Sequence, residues 1–127
     1  MNRLIRRSLS LTAAAACGVL MGMVPADTAG ALSAWDCKDE RVCLYEDTQG
    51  GGANLQVHDA IADLSNQGWN DRARSVRSRA SVTWCLYRDE NYQGESREID
   101  EGEQIDLPGH FDQTVSSMRP KPSGGAC

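Results

Sequence analysis

The chain has 127 residues, with 13 Lys and Arg against 18 Asp and Glu, a formal charge of −5 and five cysteines. That length allows one small core, marginal without covalent help. The acidic balance argues against a general nucleic-acid or anionic-membrane binder.

In chain order, Arg3, Arg6 and Arg7 precede an almost uncharged run from Leu9 to Val24, the pattern of a secretory signal, here expected over residues 1–31. The run is too short and too alanine-rich for a membrane span, which needs about 20 strongly apolar residues. Ala29-Gly30-Ala31 fits a cleavage site best, with Val24-Pro25-Ala26 as the alternative. Cys17 lacks the leucine three residues earlier that a lipoprotein signal wants, and Arg6-Arg7-Ser8-Leu9 leaves twin-arginine export open beside the general route. Removing the signal takes away three arginines and Asp27, so the formal charge moves from −5 to −7. The mature product, residues 32–127, is expected outside the cell as one domain and a monomer, with no membrane association after cleavage.

Without Cys17, the remaining Cys37, Cys43, Cys85 and Cys127 are an even set in an exported chain, which implies two disulfides. Three pairings are open. The short spacing of Cys37 and Cys43 favours a small closed loop, leaving Cys85 to tie Cys127 and the tail to the body. Zinc is a poor competitor, with no CxxC and only His58 and His110 outside the cysteine set.

From Val42 onward the chain repeats itself at an offset of 42 without a gap. Cys43, Leu44 and Tyr45 map to Cys85, Leu86 and Tyr87; Gly52 maps to Gly94, Trp69 to Phe111, Ser75 to Ser117 and Arg77 to Arg119. The units are expected at 42–80 and 84–119. Each opens with alternation, Val42-Cys43-Leu44-Tyr45 or Trp84-Cys85-Leu86-Tyr87, which predicts a strand with Val42, Leu44, Trp84 and Leu86 in the core. Polar residues and a glycine follow, then Asn54-Leu55-Gln56-Val57 or Ser96-Arg97-Glu98-Ile99, completing a hairpin whose last glycine needs a backbone angle other residues resist. Ile61–Leu64 and Gln104–Leu107 are short strand candidates. Each unit closes with an aromatic, Asx residues and serines that brace a turn before a final strand around Val76 or Met118. Arg72, Arg74, Arg77 and Arg79 alternate as a solvated face, expected to pair with Glu98, Asp100, Glu101, Glu103 and Asp106; a basic docking patch is the alternative. Four short strands per unit and little helical periodicity predict an all-β, two-sheet sandwich of two Greek keys.

Tyr87-x-x-x-x-Tyr92-x-Gly94 and the closing turns resemble the hairpin and the [N/D][N/D]xx[S/T]S motif of the βγ-crystallin superfamily, over residues 42–119. The secretory signal, the single domain and Cys37, Cys43 and Tyr45 resemble most the actinobacterial secreted metalloproteinase-inhibitor family. The resemblance implies that each sheet draws strands from both repeats. The first unit departs from the pattern, because Gly50 stands where Tyr92 stands, and its hairpin is expected to be looser. The resemblance also implies one weak calcium site from Glu46, Thr114 (carbonyl) and Ser116 (hydroxyl), flanked by Asp112, with affinity of about 10⁻⁴ to 10⁻³ M. A second site would carry Arg88, Arg72 and Arg74, and is expected to be dead. Unit charges 4 Å apart interact by about 4 kcal/mol at an effective dielectric of 20, and calcium doubles the repulsion.

No nucleophile, zincin or phosphate-binding motif is present, and His58 and His110 are not repeat equivalents, so the chain is not expected to be an enzyme. The family resemblance implies a secreted inhibitor of an extracellular metalloproteinase, presenting a rigid loop. No residue carries over as its reactive bond, because Cys85 and Cys127 lie too far apart to clip a short loop. A calcium-binding structural module and a toxin-like secreted domain are the alternatives.

Overall fold

The computed structural model describes residues 33–127; the expected signal segment lies outside them. Seven strands form two antiparallel sheets: β1 (Val42–Tyr45), β2 (Asn54–Val57), β3 (Ser75–Ser78), β4 (Trp84–Asp89), β5 (Gln93–Ile99), β6 (Gln104–Asp106) and β7 (Ser117–Pro120). One sheet runs β2-β1-β3-β6 and the other β5-β4-β7.

The two repeats exchange strands. β6 belongs to the second repeat yet pairs with β3 of the first, with Val76 opposite Ile105. Ile61 of the first repeat returns the exchange through an isolated bridge to Met118 on β7. Both of its backbone hydrogen bonds run to Met118, at 2.8 and 3.0 Å. The first sheet thus takes strands from both repeats, as the resemblance implied, whereas the three strands of the second sheet all come from the second repeat and the first repeat reaches it only through the Ile61 bridge.

The expected alternation sets which side chains go inside. Val42, Leu44, Trp84 and Leu86 are buried in one cluster with Val76, Ile99, Met118, Trp69 and Phe111, filling the space between the sheets. Trp69 and Phe111 are repeat equivalents, each closing the core beside its turn. The segment after Ile61 does not continue as a strand. Asp63 accepts from Ser65 N at 2.9 Å and caps a 3-10 turn over Leu64–Gln67, a local side-chain bond that outcompetes extension.

The repeat is also written in the backbone. Gln49 (φ 56) and Asn91 (φ 58), Gly50 (φ 68) and Tyr92 (φ 62), Gly52 (φ 73) and Gly94 (φ 79), and Asp71 (φ 58) and Gln113 (φ 59) all take left-handed angles at the 42-residue offset. At the hairpin ends only glycine fits. A Cβ on Gly52 would stand 2.7 Å from Asp47 Oδ2, and one on Gly94 2.6 Å from Asp89 Oδ2. Tyr92 accepts a costly angle, about 1–2 kcal/mol for a residue with a Cβ, because its ring meets Tyr87 edge-on at 5.8 Å and lies 4.6 Å from the Arg119 guanidinium.

The first hairpin is not left loose by its missing aromatic. Trp35, from the segment before the repeat, fills the space and meets Tyr45 edge-on at 5.4 Å, the counterpart of the Tyr87–Tyr92 pair. Its backbone N–H donates to Gly50 O at 3.0 Å. A Cβ at Gly50 would come within 2.6 Å of Trp35 Cγ and of Trp35 N, so glycine at 50 and tryptophan at 35 require each other.

The two chain ends are fastened alike. Cys37 bonds Cys43 and Cys85 bonds Cys127, the favoured pairings. Two residues beyond each repeat cysteine, a buried tyrosine hydroxyl donates to the attached terminal segment. Tyr45 reaches Asp36 O at 2.7 Å and Tyr87 reaches Cys127 O at 3.1 Å.

Candidate functional site

Serine and arginine side chains hold the hairpins onto the closing turns. Ser75 Oγ donates to Asp47 O at 2.7 Å and accepts from Gly50 N at 3.0 Å. Its equivalent Ser117 donates to Asp89 O at 2.6 Å and accepts from Tyr92 N at 3.0 Å. The arginines two residues along differ in target: Arg77 donates to Trp35 O at 2.8 Å, whereas Arg119 Nε donates to Tyr87 OH at 3.0 Å. The Tyr45 hydroxyl is pushed up to about 12, chiefly by burial; Arg77 opposes the rise and Asp36 adds to it.

The four residues expected around calcium are not brought together. Glu46 is taken by Arg72, at 2.5 Å, and Asp112 by Arg74, at 3.1 Å. Both carboxylates on that side are therefore already matched by a guanidinium, and this half of the expected ligand set does not suit a dication. Ser116 and Thr114 lie elsewhere, in an open polar depression of 720 Å³ with Asn70, Asp71, Glu90, Glu95 and Arg88. Ser116 Oγ donates to Asp71 Oδ1 at 3.4 Å, and the Thr114 hydroxyl is turned away to His110 O at 2.8 Å. Arg88 enters the depression because the β4–β5 register shifts between Tyr87 and Asp89, and it reaches Glu95 at 3.3 Å. Glu95 also contacts His110 Nε2 at 2.7 Å. Among the described residues, no group of three or more His, Cys, Asp or Glu is arranged to hold a metal.

The arginine row does not pair with the expected acidic run. Arg72, Arg74 and Arg79 bind Glu46, Asp112 and Asp39. The acidic run meets other partners, Glu98 with Lys121 and Glu103 with Arg97, while Asp106 accepts from Gln49. Only Arg77 of that row lies on β3; Arg72 and Arg74 belong to the turn before it, where the neighbours are the first hairpin and the second closing turn. Sequence reasoning missed Trp35, and the signal was available: an aromatic absent at Gly50 and a solitary tryptophan upstream. Asp71 was visible too, as the turn residue equivalent to Gln113.

Interlocked Greek keys, paired left-handed hairpin corners and serine-braced turns define a βγ-crystallin-type domain. A βγ-crystallin of Ciona intestinalis is 30% identical over 82 residues, covering 62% of this chain and 95% of the relative. A solved βγ-crystallin structure from Ciona intestinalis superposes with a TM-score of 0.59 at 28% identity, over 64% of this chain and 99% of that one. A βγ-crystallin domain from Flavobacterium johnsoniae shares the fold, with a TM-score of 0.56 at 24% identity over 67% of this chain and 98% of its own. Within that fold the chain belongs to peptidase inhibitor family I36, whose model matches residues 30–99. The matched stretch takes in the Cys37–Cys43 loop, the first repeat and the second hairpin. Family and fold both point to a non-enzymatic protein.

Proposed function

We propose that the mature protein is a secreted, monomeric inhibitor of an extracellular metalloproteinase. The observation that carries this is the family match over residues 30–99, which includes a loop closed by the Cys37–Cys43 disulfide. Inhibition by a substrate-like surface depends on holding a peptide in one conformation, so that binding spends little free energy on ordering it. Two disulfides, the Trp35 plug and the exchanged strands supply that rigidity. The test is direct: nanomolar purified protein slows a thermolysin-like enzyme. No slowing at a large molar excess removes the metalloproteinase assignment.

A second reading, weak calcium binding, is favoured by the oxygens that gather near Ser116. Ser116 Oγ and the Asp71 carboxylate, 3.4 Å apart, face a depression that also holds Glu90 and Glu95. Arg88, the residue expected to abolish a site, lies in the same depression but is drawn to Glu95 at 3.3 Å, which leaves Asp71 and Glu90 without a cation partner among the described residues; its charge holds the expected dissociation constant at about 10⁻³ M. Millimolar calcium then raises the melting temperature, and Ser116→Arg abolishes the rise. An unchanged wild-type melting curve ends this reading.

A further inference from the structure

The described domain uses almost every cation it has. Arg72, Arg74, Arg79, Arg88, Arg97 and Lys121 are held by carboxylates. Arg77 is held by a backbone carbonyl and Arg119 by a tyrosine hydroxyl and two rings. The two whose side chains have no such partner among the described residues are Lys38 and Arg41, and both lie inside the ring closed by Cys37 and Cys43. A domain this acidic has many carboxylates with which to neutralise a surface cation. With Asp39 taken by Arg79 and only Glu40 left to oppose them, the two unmatched cations give this covalently closed turn a net positive charge of one.

The ring is braced from beneath by Arg79 and Gln56, with Arg79 making most of the contacts. Arg79 donates its backbone N–H to Arg41 O at 2.8 Å and accepts at its own carbonyl from Glu40 N at 3.2 Å. Its guanidinium donates to Cys37 O at 2.8 Å and pairs with Asp39. Lys38 N is held by Gln56 Oε1 at 3.1 Å. The backbone is thus fixed at Cys37 O, Lys38 N, Glu40 N and Arg41 O. Between these anchors the chain makes a tight turn at Asp39 and Glu40, and Lys38, Asp39 and Glu40 are exposed. An exposed turn clamped on both sides is the arrangement a peptidase cleft can engage without ordering the chain first.

We propose that the Lys38–Arg41 turn is the surface that enters the peptidase, with Lys38 seated in a carboxylate-lined specificity pocket and the Lys38–Asp39 amide over the reacting centre. The partner class is an endopeptidase that selects basic side chains. This rests on the inhibitor reading but not on whether the target uses a metal. Slow cleavage consumes one water, breaks the Lys38–Asp39 C–N bond and leaves a carboxylate on Lys38 and an ammonium on Asp39. The Cys37–Cys43 disulfide keeps both new ends on one molecule, so the products stay positioned for the reverse step.

The experiment measures inhibition constants of the full exported protein against trypsin, as a probe of Lys and Arg selectivity, and against a thermolysin-like metalloproteinase. The variants are Lys38→Ala, Arg41→Ala and Val82→Ser; Val82 is the exposed large hydrophobic of the linker between the repeats, at 52% exposure. The expected result is inhibition of trypsin, with an inhibition constant at least tenfold higher for Lys38→Ala and an unchanged melting temperature; inhibition of the metalloproteinase alone overturns the choice of Lys38 and leaves the inhibitor reading standing. Mass spectrometry under non-reducing conditions should show a gain of one water, mapped to Lys38–Asp39 after reduction. If the wild type inhibits and Lys38→Ala inhibits equally, or if Val82→Ser alone loses inhibition, the turn is not the contact and the inhibitor reading stands. If the wild type inhibits neither enzyme at a large excess, both fall.

Discussion

The dependence of Gly50 on Trp35 yields a sharp energetic prediction. Trp35 is half-buried, packs edge-on against Tyr45 at 5.4 Å, and ties its N–H to Gly50 O at 3.0 Å. Truncating a fully buried tryptophan costs about 3–5 kcal/mol; with part of the ring in water, Trp35→Ala should cost about 2.5 kcal/mol, including the aromatic pair. In a domain of this size that lowers the melting temperature by about 10–20 °C. Gly50→Ala introduces a Cβ 2.6 Å from Trp35 Cγ and N at a backbone φ of 68°. It must therefore expel the Trp35 segment and also bear about 1–2 kcal/mol of left-handed strain, close to 4 kcal/mol altogether. The double variant loses the same segment once, not twice, and should also sit near 4 kcal/mol, where additivity would give about 6.5 kcal/mol. The non-additivity, about 2.5 kcal/mol, is read by chemical denaturation of the four proteins in a double-mutant cycle. A double variant whose cost equals the sum of the singles would refute the claim that Trp35 replaces the missing hairpin aromatic.

Other expectations follow from the same contacts. Tyr45 ionises near 10.0 when unfolded but only at about 12 when buried, so the neutral form belongs to the folded state. Stability is then full below pH 10 and falls by about 1.4 kcal/mol per pH unit between 10 and 12; Tyr45→Phe should flatten that fall in denaturation curves. Replacing Cys85 and Cys127 by serine opens a span of 42 residues and should cost about 4 kcal/mol, against about 2 kcal/mol for the Cys37–Cys43 loop with its separation of 6; the reverse order would show that loop entropy does not govern these bonds. Ser117→Ala strips Tyr92 N and Asp89 O of their buried partner and should cost about 1–3 kcal/mol. Ser75→Ala should match it within error, and a large difference would contradict the equivalence of the two hairpins.

Much of the fold was legible because the information was redundant. The offset of 42 appears in Cys43 and Cys85, in Tyr45 and Tyr87, and in Ser75 and Ser117, so an error at one position is corrected by its mate. Period-two alternation then placed Val42, Leu44, Trp84 and Leu86 inside, where burial follows from the pleat alone. The candidate site was less legible, since it depends on which hairpin faces which turn. Glu46 looks like a ligand along the chain, but Arg72, 26 residues on, reaches it first. Ser116 stays behind with Asp71 and Arg88, a grouping set by the strand exchange and by the register shift in β4. Trp35 escaped for a related reason: it lies outside the repeat, so no partner at the offset announced it.

The departures from repeat symmetry are physically linked. A tyrosine at position 50 would fill the first hairpin from within, as Tyr92 fills the second, and would leave the segment before Cys37 without a seat. Glycine there opens the seat and Trp35 occupies it, which brings Asp36 O to the Tyr45 hydroxyl at 2.7 Å and sets Cys37 beside Cys43. Once Trp35 and the disulfide fix the segment, Arg79 can hold the next four residues as a rigid turn. The second repeat keeps its tyrosine, and its cysteine recruits the C-terminal tail over a span of 42 residues, too wide to present a short ring. The loss of one aromatic in the first hairpin therefore accounts for where a short pre-organised ring appears on this domain and why the other disulfide does not make one.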